Sequence, residues 1–295
     1  MNPGSERPQE RPAAGGGRIP GPEGWHLGIV VGSVILGCFG VMAVLAGVLA
    51  PQDPYRIPEE LQAVSLLPPR AGHWFGTDLL GRDLLSRVLY GSRISLLVGI
   101  LVEMAVTPVG VTIGLFAGYF GGRMDTVLMR LTDAVMAFPG LVLAIALTAV
   151  LEKPGLMSVI VVLAAVRWTT VARLVRGQVL SLREAEHIAA VTALGAGRGR
   201  IIFRHLLPNC LAPILVAMTF GVASNILSEA GLGFLGLGIQ PPMVSWGSLL
   251  AEGAAYLTVT PWLCLFPGVA ITCTVLGFHL LGDGLRDVCD PRLRS

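Results

Sequence analysis

Charge is what this sequence has least of. Asp, Glu, Lys and Arg together make 14% of the 295 residues, where a soluble domain carries about 25% to coat its surface. The polar coat is missing, so lipid must be the solvent for much of the surface. Lysine occurs once, at Lys153 between Glu152 and Pro154, with no glycine-rich loop before it. A P-loop needs the frame GxxxxGK[ST], whose lysine reaches the terminal phosphates, so the chain is not a P-loop ATPase. Five cysteines (Cys38, Cys210, Cys264, Cys273, Cys289) form no CxxC pair and read as small apolar side chains, not as a disulfide framework or thiolate metal site. Histidines 26, 73, 187, 205 and 279 form no HExxH, and no serine stands in a GxSxG frame. Enzymatic chemistry and bound cofactors or metals are therefore not expected of the chain itself. A net charge of +2 is too small to point to nucleic acid.

What the sequence has in abundance is apolar length. Hydrophobic residues make 53% of it and the mean hydropathy is +0.72. A helix needs about 20 apolar residues to cross the hydrocarbon core. Six stretches qualify or nearly do: 27–49, 95–118, 126–151 (interrupted by Asp133 and Pro139), 156–172, 211–230 and 262–281. The expected fold is all-α, a polytopic helix bundle of about six transmembrane helices. Residues 1–26, rich in Pro, Gly and charge, read as a disordered tail, and residues 27–292 as one transmembrane domain. The stretch 231–257, broken by glycines and Pro241-Pro242, reads as partly re-entrant. Arginines 173, 176, 183, 198, 200 and 204 outweigh Glu184 and Glu186 between the fourth and fifth spans. The positive-inside rule then places the 173–210 loop and both termini in the cytoplasm, and the 51–94 segment outside.

Within the spans, Gly110, Gly114 and Gly118 recur every four residues. That spacing suits a close helix seam, within the chain or between subunits, although glycine is common in membrane helices anyway. Glu103, Asp133, Arg167, Glu229 and His279 are charged or titratable groups inside spans, where such groups are costly. Most lie within a turn or two of an interface by this count, Arg167 and Glu229 among them, and are expected to reach water or to pair. Glu103 is the most interior. Asp78, Arg82, Asp83 and Arg87 are spaced to form a salt-bridged helix leading into the second span.

The 173–210 loop contains a helical pattern over 182–194, with Ile188, Val191 and Leu194 on one stripe, then Gly195-Ala196-Gly197 and a second short helix over 198–206 ended by Pro208-Asn209. Such an element suits docking in another protein's groove, or lying on lipid. Leu194-Gly195, Ile202 and Leu207-Pro208 resemble the conserved cytoplasmic loop of binding-protein-dependent ABC importer permeases. Ala189 and Ala190 stand here, Ala189 where that family often has Glu. The stretch HWFGTDLLGRDLLSRVLYGSRISL at 73–96 is similar to the signature of the dipeptide/oligopeptide/nickel permeases, C-type subunit. It contains Gly76, Thr77, Asp78, Gly81, Arg82, Asp83, Ser86, Arg87, Gly91 and Arg93. Further matches lie at 117–130, 137–141, 172–184, 234–253 and 280–292.

The resemblance implies a type I ABC importer permease fold and a multi-pass cell-membrane protein surrounded by lipid. It implies a heterodimer with a B-type permease, two ATP-binding subunits that use ATP and Mg, and an external solute-binding protein. It also implies that Glu186, Ala189, Ala190, Leu194, Gly195, Ile202, Leu207 and Pro208 form the contact through which ATPase closure moves the helices. Peptides are the expected cargo and nickel or a nickel chelate the alternative. A secondary transporter or channel, or a membrane scaffold, are the rival classes.

Overall fold

A computed structural model describes residues 22–59, 64–151 and 155–289. The expected tail lies outside the described residues up to position 21, as does Lys153. Helices are α1 (Pro22–Leu49), α2 (Leu84–Phe120), α3 (Gly122–Met136), α4 (Gly140–Val150), α5 (Leu156–Arg183), α6 (Glu186–Ala193), α7 (Arg198–Phe234), α8 (Trp246–Ala254) and α9 (Trp262–Cys289). No strand occurs among the described residues. α1, α2, α5, α7 and α9 are each long and apolar enough to cross a membrane.

The sixth expected span is a broken one. α3 and α4 meet at 83° where Ala137-Phe138-Pro139 ends the first helix, Pro139 becoming the N-cap of α4. Eleven residues of α4 reach only about 16 Å, half the hydrocarbon thickness of about 30 Å. α3 is held to α5 by ion pairs instead: Asp125 takes a two-pronged contact from Arg176 (2.5 and 2.6 Å), and Asp133 accepts from Arg173 at 2.6 Å.

Several helices outrun their apolar windows. α2 begins at Leu84, about three turns before the apolar run, because Asp83 caps it by accepting from the Ser86 backbone at 2.9 Å. α5 runs on to Arg183, so residues 173–183 are helix and not loop, and Arg167 lies mid-helix. The second short helix expected to end at Pro208 does not end there. α7 passes through Pro208 by widening into a π-helical stretch, Ile201–Leu206. Leu207 N–H bonds back to Ile202 across five residues, which makes room for a proline ring that would otherwise meet the carbonyl four residues back. The connection between α5 and α7 is therefore only 184–197, with α6 inside it.

The three-glycine seam is intramolecular. A Cβ on Gly110, Gly114 or Gly118 would come within 2.8 Å of Val171, Ala172, Val175 or Val179 on α5, so α2 and α5 touch backbone to backbone. α1 packs on α9 in the same way, Gly32 against the backbone of Gly277 and Leu281. The re-entrant reading of 231–257 matches α8, a short helix folded between α7 and α9, with Gly233 against Gly247 and Gly253 against Leu263. One apolar core lies among α2, α5, α6 and α7, and a second among the start of α2, α7, α8 and α9. The start of α1 lies beside the end of α9 (Gly28 at Leu280), whereas the start of α9 meets Gly76 through Trp262. Both described termini thus sit at the end of the bundle opposite Gly76.

Candidate functional site

Two ends of α2 and one cleft between them carry the polar chemistry. At the α2 N-terminus, Gly76 and Gly81 adopt positive φ (82° and 69°), and at Gly76 a Cβ would strike the Leu67 carbonyl and the Trp262 ring. Thr77 ties this turn to an adjacent segment, donating to Val64 O and accepting from Leu67 N–H at 2.8 Å. Asp78 is the hub. It accepts from the backbone N–H groups of Leu80 and Arg82 (both 2.9 Å), from Arg82 Nε at 2.7 Å and from Arg87 Nη1 at 2.5 Å. Arg87, 2% exposed, also reaches Glu252 on α8 through both Nη1 and Nη2 (2.5 and 3.0 Å).

Only part of the expected salt-bridged helix forms. Asp78–Arg82 is an i, i+4 pair, but it sits in a turn, Asp83 is spent on the helix cap and on His73 (3.1 Å), and Arg87 points to α8. Ser86 bridges Asp83 and Gln52 N–H. Gly91 admits the Trp246 ring, and Arg93 donates to the α1 carbonyls of Ala43 and Val44 (2.6 and 2.9 Å). Arg93 thus ties the start of α2 to α1, Arg82, Arg87 and Gly91 tie it to α8 and Gly76 meets α9, while Thr77, Gly81, Asp83 and Ser86 hold the segment before it. Glu252, which sequence reading passed over, completes the network from 165 residues away.

At the other end of α2, α6 closes with a Schellman turn. Gly195 has φ 79°, its N–H bonds Thr192 O (3.0 Å), and Ala196 N–H bonds Val191 O (3.3 Å), the pattern that a left-handed residue after the helix permits. The expected outward stripe turns inward: Ile188 is buried, Val191 is half-buried, and both join the core of α2, α5 and α7. Ile202 is likewise buried and Leu207 half-buried. What the loop presents is Glu186, Ala189, Ala190, Leu194, Gly195 and Pro208, all exposed. Leu194, at 87% exposure, stands beside Arg200, Arg204 and His205 around a concavity of about 450 Å³.

The charges within spans divide in three. Asp133 is in the exposed ion pair with Arg173, and His279 is exposed beside Phe220. Glu229, expected to reach water, does not: α7 continues past it to Phe234 and α8 folds over it. It is fully buried and accepts from Ser95 Oγ at 3.2 Å, while Ser95 accepts from Trp246 N–H. Glu103 and Arg167 line one cleft of about 290 Å³ with Thr170, Phe220, Gly221 and Ser224. Glu103 accepts from Thr107 and Asn225 (both 3.0 Å). Arg167 donates to Ser224 and Ser228.

Residues 110–295 match the family described as binding-protein-dependent transport system inner membrane component. The chain belongs to that family. It is a multi-pass membrane protein of the type I importer permease fold, a permease subunit and not itself an enzyme. It is 44% identical to a dipeptide transport system permease of Alkalihalophilus pseudofirmus, over 90% of this chain and 86% of that one. It is 41% identical to an oligopeptide transport system permease of Bacillus subtilis, over 90% and 86% of the two chains. Identity to a glutathione transport system permease of Pectobacterium atrosepticum is 44%, over 77% and 75%. The family match spans the 184–197 loop and Arg167, Thr170, Phe220, Gly221 and Ser224 of the cleft, while Glu103 lies before it.

Proposed function

We propose that the chain is the C-type transmembrane subunit of an ATP-driven importer of di- or oligopeptides. A B-type permease completes the pore, two ATP-binding subunits consume ATP and Mg, and an external solute-binding protein delivers cargo; the chain itself holds no nucleotide. The observation that carries this reading is the exposed Schellman loop at 184–197, set within the family-matched span on the C-terminal end of α2. Its inward stripe anchors it to the bundle, so a push on Leu194 moves α5 and α7 instead of peeling the loop away. Glu186, Ala189, Ala190 and Pro208 flank the contact, Gly195 sets the turn, and Arg198, Arg200 and Arg204 offer cations to acidic groups on the ATPase. Ile202 and Leu207 act from beneath, as anchors.

Orientation follows: the loop and both described termini share one end, which the arginine excess places in the cytoplasm, and the signature network faces outside. Peptide is favoured over nickel because the relatives described above are named for peptides. Uptake of labelled di-, tri- and pentapeptides and of radioactive nickel, in cells with and without the gene, tests the reading. Loss of peptide uptake, restored by complementation, is expected. Loss of nickel uptake alone would reassign the cargo, and ATPase-independent flux would favour a channel or secondary transporter.

A further inference from the structure

Glu103 and Arg167 are opposite charges at mid-span that line one cleft, yet no direct ion pair joins them. Each is satisfied by neutral partners only: Thr107 and Asn225 for the carboxylate, Ser224 and Ser228 for the guanidinium. Glu103 is 2% exposed, and a charge so placed in lipid is costly enough to mark a pathway. Two of the five guanidinium N–H donors are used by the serines, which leaves donors for a ligand. Gly221 makes room for the Glu103 carboxylate at the cleft wall, since a Cβ there would collide with it. The volume of about 290 Å³ lies just under the range of ligand sites, roughly 300 to 1,000 Å³.

We infer that this cleft is a transit site for the charged termini of a free peptide, its ammonium facing Glu103 and its carboxylate facing Arg167. The inference rests on the importer reading and deepens it, because it gives the membrane subunit a part in selecting cargo. A free dipeptide carries both charges near neutral pH, with termini of pKa about 7.8 and 3.5. Phe220 and Val106 supply an apolar wall for side chains, and the serines hold Arg167 in place without neutralising it.

The test uses the complete transporter in nanodiscs, without the external binding protein. Radiolabelled alanyl-phenylalanine at millimolar concentration is displaced by the free, N-acetylated or C-amidated dipeptide, and ATP-driven uptake of the free dipeptide is measured with the same preparation, binding protein added, in liposomes. Wild type is expected to bind the free dipeptide best. Glu103→Gln should remove the preference over the acetylated peptide alone, and Arg167→Gln the preference over the amidated peptide alone. Each preference is expected to be about tenfold, as a charge-assisted hydrogen bond supplies. Arg167→Lys, which keeps the charge, should retain most of it, and Gly221→Ala, which displaces the Glu103 carboxylate, should lower the preference over the acetylated peptide. A flat ranking in wild type, no binding in wild type despite uptake, or equal losses for all three peptides in both charge variants would overturn the site and leave the importer standing. Absence of any ATP-driven peptide uptake by wild type would overturn the importer reading and the site with it.

Discussion

The two ends of α2, about 55 Å apart along a 37-residue helix, are built on opposite principles. At the N-terminal end, charge is buried: Asp78 and Arg87 are at most 3% exposed, Arg87 links Asp78 to Glu252, and Asp83 beside them caps the helix. At the C-terminal end, charge is left out in water, the turn is closed by backbone hydrogen bonds, and a leucine stands exposed at its tip. A buried charge network has one good arrangement and loses much when a partner is removed. An exposed turn loses little and can change partners. The first end therefore behaves as a fixed anchor and the second as a contact, with the glycine seam between α2 and α5 joining them into one lever.

The sharpest way to break this contrast is at the anchor. Arg87→Met takes one of four donors from the buried Asp78 carboxylate, which keeps Arg82 and two backbone N–H groups, and frees Glu252. It should cost about 2–3 kcal/mol, seen as a fall in thermal unfolding temperature in detergent. An unchanged unfolding temperature would mean that the network is ornamental. Next is the seam. Gly114→Val forces a side chain against the α5 backbone at Ala172 and Arg176 and should cost about 1–3 kcal/mol by overpacking; a variant as stable as wild type would show that the helices part easily.

Smaller stability effects but larger functional ones are expected at the loop. Gly195→Val meets no neighbour within 4 Å but must hold φ 79°, a strain of about 1–2 kcal/mol. Transport should fall while the ATPase subunits keep turning over; wild-type uptake would refute a coupling role for the turn. Leu194→Glu should change stability by less than about 0.5 kcal/mol, as exposed positions do, yet reduce co-purification of the ATP-binding subunits. Retention of those subunits at wild-type level would move the contact elsewhere on the loop.

Legibility followed locality. Five long spans and the break at Pro139 were readable because each is a property of neighbouring residues. The Gly195 turn was readable for the same reason. Pro208 misled, because a π-helical turn in the preceding six residues lets the helix pass, and nothing local announces that widening. The stripe Ile188–Val191 had the right period but the wrong face: periodicity says that one side is apolar, not whether that side meets its own bundle or another protein. Glu229 was misplaced because α8, folded back from a later segment, removes the water it would otherwise reach.

What the sequence determined by itself is the solvent and the five long spans. With so few charges the chain must live in lipid, and unsatisfied backbone there forces helices about 20 residues or longer. What only tertiary structure decided is which charges meet. Arg87 and Glu252 are separated by 165 residues, Glu103 and Asn225 by 122, and Arg167 joins Glu103 at one cleft only because the α2–α5 glycine seam and the crossing of α7 bring their helices together. Electrostatic partners in a low-dielectric interior are chosen by distance in space, and distance in space is set by packing, which no single stretch of sequence contains.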